Sequence, residues 1–183
     1  MKQLDESRLP VIASITKPEQ IHAALTSQVE RVILMTGDIL QMGDMMDKLH
    51  LAGKQVYVHV EMVGGIGRDH SAIQYLADTF HIDGIVSTKS NAITAARNAG
   101  ISSIQRIFAI DTAAVETAIK VITSAQPNEV ELMPGLMPRI IGELKARIQR
   151  PLIVGGLIRH EEEIQIALRS GADYVSIGDQ RFW

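Results

Sequence analysis

Eight short aliphatic or β-branched runs recur along the chain, and their starts lie about 18 to 29 residues apart. They occupy 10–15, 31–36, 55–63, 84–89, 102–110, 129–133, 151–157 and 174–178. Such spacing is too wide for hairpins and suits the right-handed crossovers that join parallel strands. Between the runs the apolar period becomes helical. In 38–52, Ile39, Met42, Met46 and Leu49 fall at i, i+3, i+7 and i+10, and Gly53 follows at a helix-ending position. The methionines of that stripe are read as packing, since a methionine metal site wants histidines or other soft ligands beside it. Gly100 and Gly171 end 90–99 and 161–170 in the same way. Asp111 is placed to cap 112–124, and Pro138 sits in the first turn of a segment running to Ile148. Glu161, Glu162 and Glu163 crowd a helix start, where the macrodipole favours anions, so they read as a solvated terminus and not as a metal site.

Eight strands alternating with seven helices define an α/β chain of the TIM-like (β/α)8 barrel type, compact and with the final helix missing, forming a single domain over 1–183. A Rossmann-like sheet is the alternative, but no Gly-x-Gly-x-x-Gly opens a helix. Gly64-Gly65-Ile66-Gly67 has different spacing and reads as a flexible loop at the barrel mouth. The chain's 183 residues fall short of the ~250 typical of this barrel, so short loops are expected throughout. Phe182 and Trp183 are expected to cover the wall that the missing helix leaves bare, or to contact a second subunit of a homo-oligomer.

Composition removes several classes of function. With no Cys, thiolate zinc sites, iron–sulfur clusters, disulfide scaffolds and cysteine nucleophiles are all excluded, and a reducing cytoplasm is favoured. No apolar run approaches the roughly 18 residues of a membrane span. Asp5 and Glu6 stand where a secretory signal would be basic and then apolar. The six histidines, at 22, 50, 59, 70, 81 and 160, show no pair at two-, three- or four-residue spacing, so no metal site is expected. A net charge of -3 and 4% aromatic content do not suit a dedicated nucleic-acid binder or a base-stacking platform. Any nucleic-acid role must then rest on a local patch. Between Arg139 and Arg159, five basic residues (Arg139, Lys145, Arg147, Arg150 and Arg159) face the single acid Glu143. That stretch is either a candidate RNA contact or an ordinary solvated helix face.

In this fold ligands sit at the carboxyl ends of the strands, so polar residues there are read first. In Val56-Tyr57-Val58-His59-Val60-Glu61, alternation separates three valines from Tyr57, His59 and Glu61, and the valine face suits the helix layer. His59 is then either a core histidine or a mouth residue, while a lone carboxylate such as Glu61 is costly to bury without a ligand or partner. Ser87 with Lys89, Ile104 with Arg106, and Glu131 with Met133 extend the pattern, so Lys89, Arg106, Glu61 and Glu131 are expected to ring the mouth with alternating charge. Such a ring either fills the barrel with internal ion pairs, or holds an anion on its cations while its carboxylates accept from hydroxyls. Gly155 and Gly156 after the seventh strand, with Ser176 and Gly178 after the eighth, fit the phosphate cradle that many barrels build there. Together these residues describe a site for a small polyol phosphate.

Several blocks are similar to a known family. Ile12-Ala13-Ser14-Ile15-Thr16-Lys17-Pro18, Val58-His59-Val60-Glu61, Ser87-Thr88-Lys89-Ser90-Asn91, Gln105-Arg106-Ile107-Phe108, Glu131-Leu132-Met133-Pro134-Gly135 and Gly155-Gly156-Leu157-Ile158-Arg159 resemble the glycerol uptake operon antiterminator regulatory proteins, GlpP, from about Val11 to Trp183. The resemblance implies a cytoplasmic bacterial regulator that senses glycerol 3-phosphate, binds the leader mRNA of glycerol-utilisation operons and prevents terminator formation. It implies no catalytic residues and no cofactor beyond the effector. Glu61 and Lys89 stand where relatives often carry Asp and Arg, which keeps the charge and alters the reach. The rival readings are a phosphosugar isomerase or aldolase with Lys89 or Glu61 as base, and a scaffold that only assembles with partners.

Overall fold

The computed structural model describes residues 9–183, so Asp5 and Glu6 lie outside the described residues. Eight strands follow one another in the chain: β1 (Val11–Ile15), β2 (Arg31–Leu34), β3 (Gln55–His59), β4 (Gly84–Ser87), β5 (Ser102–Phe108), β6 (Glu129–Met133), β7 (Leu152–Gly155) and β8 (Tyr174–Ile177). The helices between them are α1 (Gln20–Thr26), α2 (Ile39–Leu51), α3 (His70–Phe80), α4 (Ser90–Asn98), α5 (Thr112–Ala125), α6 (Pro138–Arg147) and α7 (Glu161–Arg169). Every strand is parallel to its neighbours in chain order, and β8 pairs with β1, so the sheet closes into a (β/α)8 barrel. The strands read as nearly continuous apolar runs because both faces are buried, one by the barrel interior and one by the helix ring.

Parity along the strands separates two apolar layers. Ile12, Ile33, Tyr57, Val86, Ile104 and Ile153 form the interior, whereas Val32, Val56, Ile85, Leu132, Val154 and Val175 belong to the larger layer beneath the helices. The three valines of β3 and the turn after it face outward, and Tyr57 and His59 inward. On β4 the inward residues are Gly84 and Val86. A Cβ at Gly84 would lie 2.5 Å from Tyr57 Cε1 and 2.7 Å from the Ser102 carbonyl, so only glycine lets the Tyr57 ring pass there.

Helix ends follow local chemistry. The Asp38, Asp69 and Asp111 carboxylates accept from backbone N–H groups at the starts of α2, α3 and α5, and Pro138 is the first residue of α6. Glu163 accepts from the Arg159 and His160 backbone N–H groups in a capping box at the start of α7. Gly53, Gly100 and Gly171 take positive φ after α2, α4 and α7. After α3 and α5 the same left-handed turn is made by His81 and Gln126, at φ 51° and 53°.

Three expectations about backbone are corrected. The runs at 55–63 and 102–110 overshoot, because β3 ends at His59 and β5 at Phe108. The Met62 and Val63 N–H groups turn back onto the His59 carbonyl. The glycine loop is not free at its start either. Gly64 N donates to Gly37 O at 3.0 Å and Gly64 O accepts from Ile39 N at 2.9 Å, tying the β3–α3 loop to the β2–α2 loop.

After β8 a 3-10 turn, Gln180–Phe182, occupies the place of an eighth helix. Phe182 and Trp183 pack against the outer apolar layer, and Trp183 Nε1 donates to Ile177 O at 2.8 Å. They cover the wall. Among the described residues no helix is long and apolar enough to cross a membrane.

Candidate ligand site at the barrel mouth

Above the apolar interior, the carboxyl ends of the strands carry a buried layer of polar side chains: Ser14, His59, Arg106, Glu131 and Ser176. Charge at such depth must be paired. Arg106 Nε donates to Glu131 Oε2 at 2.7 Å, and Ser176 Oγ donates to Glu131 Oε1 at 2.6 Å. Arg106 Nη2 reaches Met35 Sδ at 3.4 Å, and Nη1 has no protein partner among the described residues. Gly155 makes this packing possible, because a Cβ there would collide with Ser176 Oγ.

A second cluster forms on the opposite side of the mouth. Glu61 stands two residues past His59 and swings toward the end of β4, where Ser87 Oγ donates to Oε1 at 2.5 Å and the Thr88 N–H to Oε2 at 2.9 Å. Arg68, from the β3–α3 loop, brings Nε to 3.8 Å from Glu61 Oε1. His59 lies between the clusters, feeling Arg106, Glu61 and Glu131 together. Burial, reinforced by the Arg106 cation, pulls its imidazole down to about 4, so the ring is neutral at ordinary pH.

The expected ring of alternating charge is therefore two separate clusters, and Lys89 is in neither. Val86 faces inward, so Ser87 has outward parity, and Lys89 lies beyond the end of β4. Lys89 is the exposed residue preceding α4, and its ammonium makes no ion pair with a described residue. Arg68, Thr88 and Met35 were missed by sequence reasoning. A cation closing a glycine loop at a barrel mouth was the available signal for Arg68; nothing marked the other two.

Between the two clusters and β8, backbone conformation prepares donors. Gly156 and Leu157 are both left-handed, at φ 79° and 65°, so the chain leaves β7 in a sharp turn. The Gly156 carbonyl accepts from Gly135 N, whereas neither the Gly156 nor the Gly178 N–H has an acceptor among the described residues. The rim of the mouth also carries exposed apolar side chains, Met62, Phe108, Ile110, Leu136 and Leu157.

The basic stretch of 139–159 is distributed differently from its linear count. Arg139 and Arg159 lie at the mouth end of the barrel, whereas Lys145, Arg147 and Arg150 lie at the far end of α6 and beyond it. Three of the cations are paired: Arg139 with Glu143 at 2.7 Å, Lys145 with Asp173 at 2.6 Å, and Arg147 with Glu116 through two contacts. Glu116 and Asp173 come from outside the stretch, so the sequence window undercounted its acids. Arg139 and Arg147 flank a groove of about 290 Å³ on the outer wall between α5 and α6, floored by Ile119, Ile140 and Leu144.

A closed (β/α)8 barrel with a paired polar layer at its mouth is of the fold class whose ligand sites, where present, lie at the carboxyl ends of the strands. The particular family follows from comparison. The chain belongs to the glycerol-3-phosphate responsive antiterminator family, whose model matches residues 11–183. It is similar to the glycerol uptake operon antiterminator regulatory protein of Listeria monocytogenes, with TM-score 0.92 and 28% identity over 98% of this chain and 97% of that one. A glycerol uptake operon antiterminator-related protein from Thermotoga maritima superposes with TM-score 0.84 at 28% identity, over 96% and 98% of the two chains. The protein YgcP of Escherichia coli K12 is 30% identical over 174 residues, covering 95% of this chain and 91% of YgcP.

Proposed function

We propose that the mouth binds glycerol 3-phosphate and that the ligand-bound protein holds the leader mRNA of glycerol-utilisation operons, preventing terminator formation. The phosphate sits on the Gly156 and Gly178 N–H groups beside Arg106, and the glycerol hydroxyls lie toward Glu61. Glu131, Ser176 and Gly155 form the floor that fixes Arg106. Lys89 acts from the rim as an attracting charge rather than a contact. The observation that carries this reading is the convergence of open donors, at Gly156, Gly178 and Arg106 Nη1, on one end of a closed barrel. The ligand is sensed and released unchanged, since Glu131 is locked by two donors and Glu61 by two more, an arrangement suited to binding rather than proton transfer.

A ligand shifts a protein between states only through its differential affinity for them. Segments at the mouth that meet the ligand are the 65–69 part of the β3–α3 loop and the turn after Gly178. The test is binding of a glycerol-operon leader RNA across a salt series, with and without glycerol 3-phosphate. Affinity should appear with ligand and fall with salt. RNA affinity indifferent to ligand would overturn the proposal, and conversion of the ligand during incubation would favour the isomerase or aldolase alternative.

A further inference from the structure

His59 is the one fully buried histidine among the described residues, at 3% exposure, and its Nδ1 has no hydrogen-bond partner. An orphaned polar atom at that depth is costly and calls for an explanation. Its closest charged neighbour is Glu61 Oε2 at 3.8 Å, beyond hydrogen-bonding range. Ser87 and Thr88 hold the Glu61 carboxylate in place from the other side, so it does not swing in to satisfy the ring. A neutral, unpartnered nitrogen and an anchored carboxylate thus stand 3.8 Å apart at the mouth, with Arg68 beside Glu61 and the Arg106–Glu131 pair acting on His59.

We infer that His59 and Glu61 form a hydroxyl-reading subsite that selects a secondary alcohol over the corresponding ketone. This rests on the reading of the mouth as a glycerol 3-phosphate site. A carboxylate only accepts, so a group that satisfies Glu61 must donate. An alcohol oxygen donates its proton to Glu61 and offers its lone pairs to Nδ1–H. A carbonyl oxygen has no proton to give and turns lone pairs toward the carboxylate. Glycerol 3-phosphate, with a hydroxyl at its central carbon, fits the pair, and dihydroxyacetone phosphate, with a carbonyl there, turns lone pairs toward the Glu61 carboxylate and gives it no proton.

Calorimetric titration of the full chain with glycerol 3-phosphate, dihydroxyacetone phosphate and inorganic phosphate tests this. The wild type should prefer the alcohol over the ketone by about 30-fold, the size of one hydrogen bond to a charged group. Glu61→Gln, whose amide can donate to a carbonyl, should reduce that preference to within about 3-fold, and His59→Leu should weaken alcohol and ketone alike by removing the donor they share. His59→Asn, whose amide stands near the position of Nδ1, should restore most of the affinity lost in His59→Leu. Equal binding of alcohol and ketone by the wild type, an unchanged preference in Glu61→Gln, or unchanged affinities in His59→Leu overturns the subsite and leaves the ligand reading intact. Failure of all three probes to bind overturns the ligand reading itself. Should His59→Leu not fold, the ¹⁵N shift of His59 Nδ1 in the wild type decides. It should move with glycerol 3-phosphate and stay still with inorganic phosphate, and a shift unmoved by both overturns the subsite.

Discussion

Arg31 and Glu129, 98 positions apart in sequence, meet at the amino-terminal end of the barrel, with Arg31 Nη1 2.8 Å from each carboxylate oxygen. The guanidinium also lies over the Tyr57 and Tyr174 rings, at 5.3 and 4.8 Å from their centroids. The pair closes the end opposite the proposed ligand site, where polarity reads as stability rather than function. Its side chains are only 15% and 10% exposed, so removing one partner strands the other charge. Glu129→Ala should destabilise the fold by about 3 kcal/mol in denaturant melts, and replacing both partners with apolar residues should recover most of that loss. Equal destabilisation by the single and double variants would show that packing, not the unpaired charge, is responsible. Ligand affinity of the folded protein should not change.

Gly155 joins stability to function at the other end. Gly155→Ala places a methyl group where Ser176 Oγ donates to Glu131, so the Arg106–Glu131–Ser176 arrangement must shift. The expected cost is about 2 kcal/mol of stability, typical of an overpacked core. Glycerol 3-phosphate affinity should fall as Arg106 loses its anchor. Normal ligand binding in a destabilised Gly155→Ala protein would separate the floor from the site.

What the sequence made legible follows from which interactions are local. Strand runs, the glycine stops at Gly53, Gly100 and Gly171, and the cap at Asp111 each depend on a few neighbouring residues, and each is found where the pattern put it. The left-handed ends at His81 and Gln126 carried no such mark, because those side chains adopt that conformation only under tertiary constraint. Lys89 was misplaced for a related reason: β4 ends at Ser87, so strand alternation does not extend to Lys89, which precedes α4. The pairing of Arg147 with Glu116 joins two helices and was equally invisible to a window along α6. At the mouth, residue types were readable, but their division into two clusters depends on the turn that carries Glu61 toward Ser87.

His59 makes stability depend on pH. Its folded-state value, about 4, lies below the 6.5 of an unfolded histidine, so the unfolded chain takes up the proton first as pH falls. Stability is unaffected above about 6.5, declines between about 6.5 and 4, and stops changing on this account below that. The full effect is about 3 kcal/mol for a shift of this size in a buried ring. Urea melts from pH 7.5 to 4.5 should show the decline in the wild type, and His59→Asn should flatten it. An identical pH profile in the two proteins would mean that other groups govern the acid limb.

Trp183 is the sole tryptophan of the chain and reports on the barrel wall that the turn after β8 covers. Half-buried against the outer apolar layer, with its indole N–H held by Ile177 O, it should emit at shorter wavelength than a free indole and resist acrylamide quenching. Its unfolding transition should coincide with that from circular dichroism, as in a two-state barrel. Trp183→Phe keeps the ring contact and loses the hydrogen bond, so a destabilisation of about 1 kcal/mol is expected. A tryptophan signal that melts well before the barrel would show that the turn after β8 is not part of the cooperative core.

The α6 face offers a direct test of where RNA binds. Arg139 and Arg147 are exposed, but each is engaged by a carboxylate, Glu143 on the same helix and Glu116 on α5. The Arg147 hydrogen bonds also hold the Glu116 carboxyl below its ordinary value, so that acid keeps its charge at mildly acid pH. A phosphate backbone docking here would have to displace both carboxylates. Glu116→Gln with Glu143→Gln removes those competitors without touching the arginines. If this face contacts the leader, the double variant with glycerol 3-phosphate bound should bind RNA more tightly at low salt. Its salt dependence should steepen by about one to two phosphate contacts. If affinity and slope are both unchanged, α6 is an ordinary solvated helix, and the RNA surface must be sought among the unpaired cations nearer the mouth, Lys89 and Arg159.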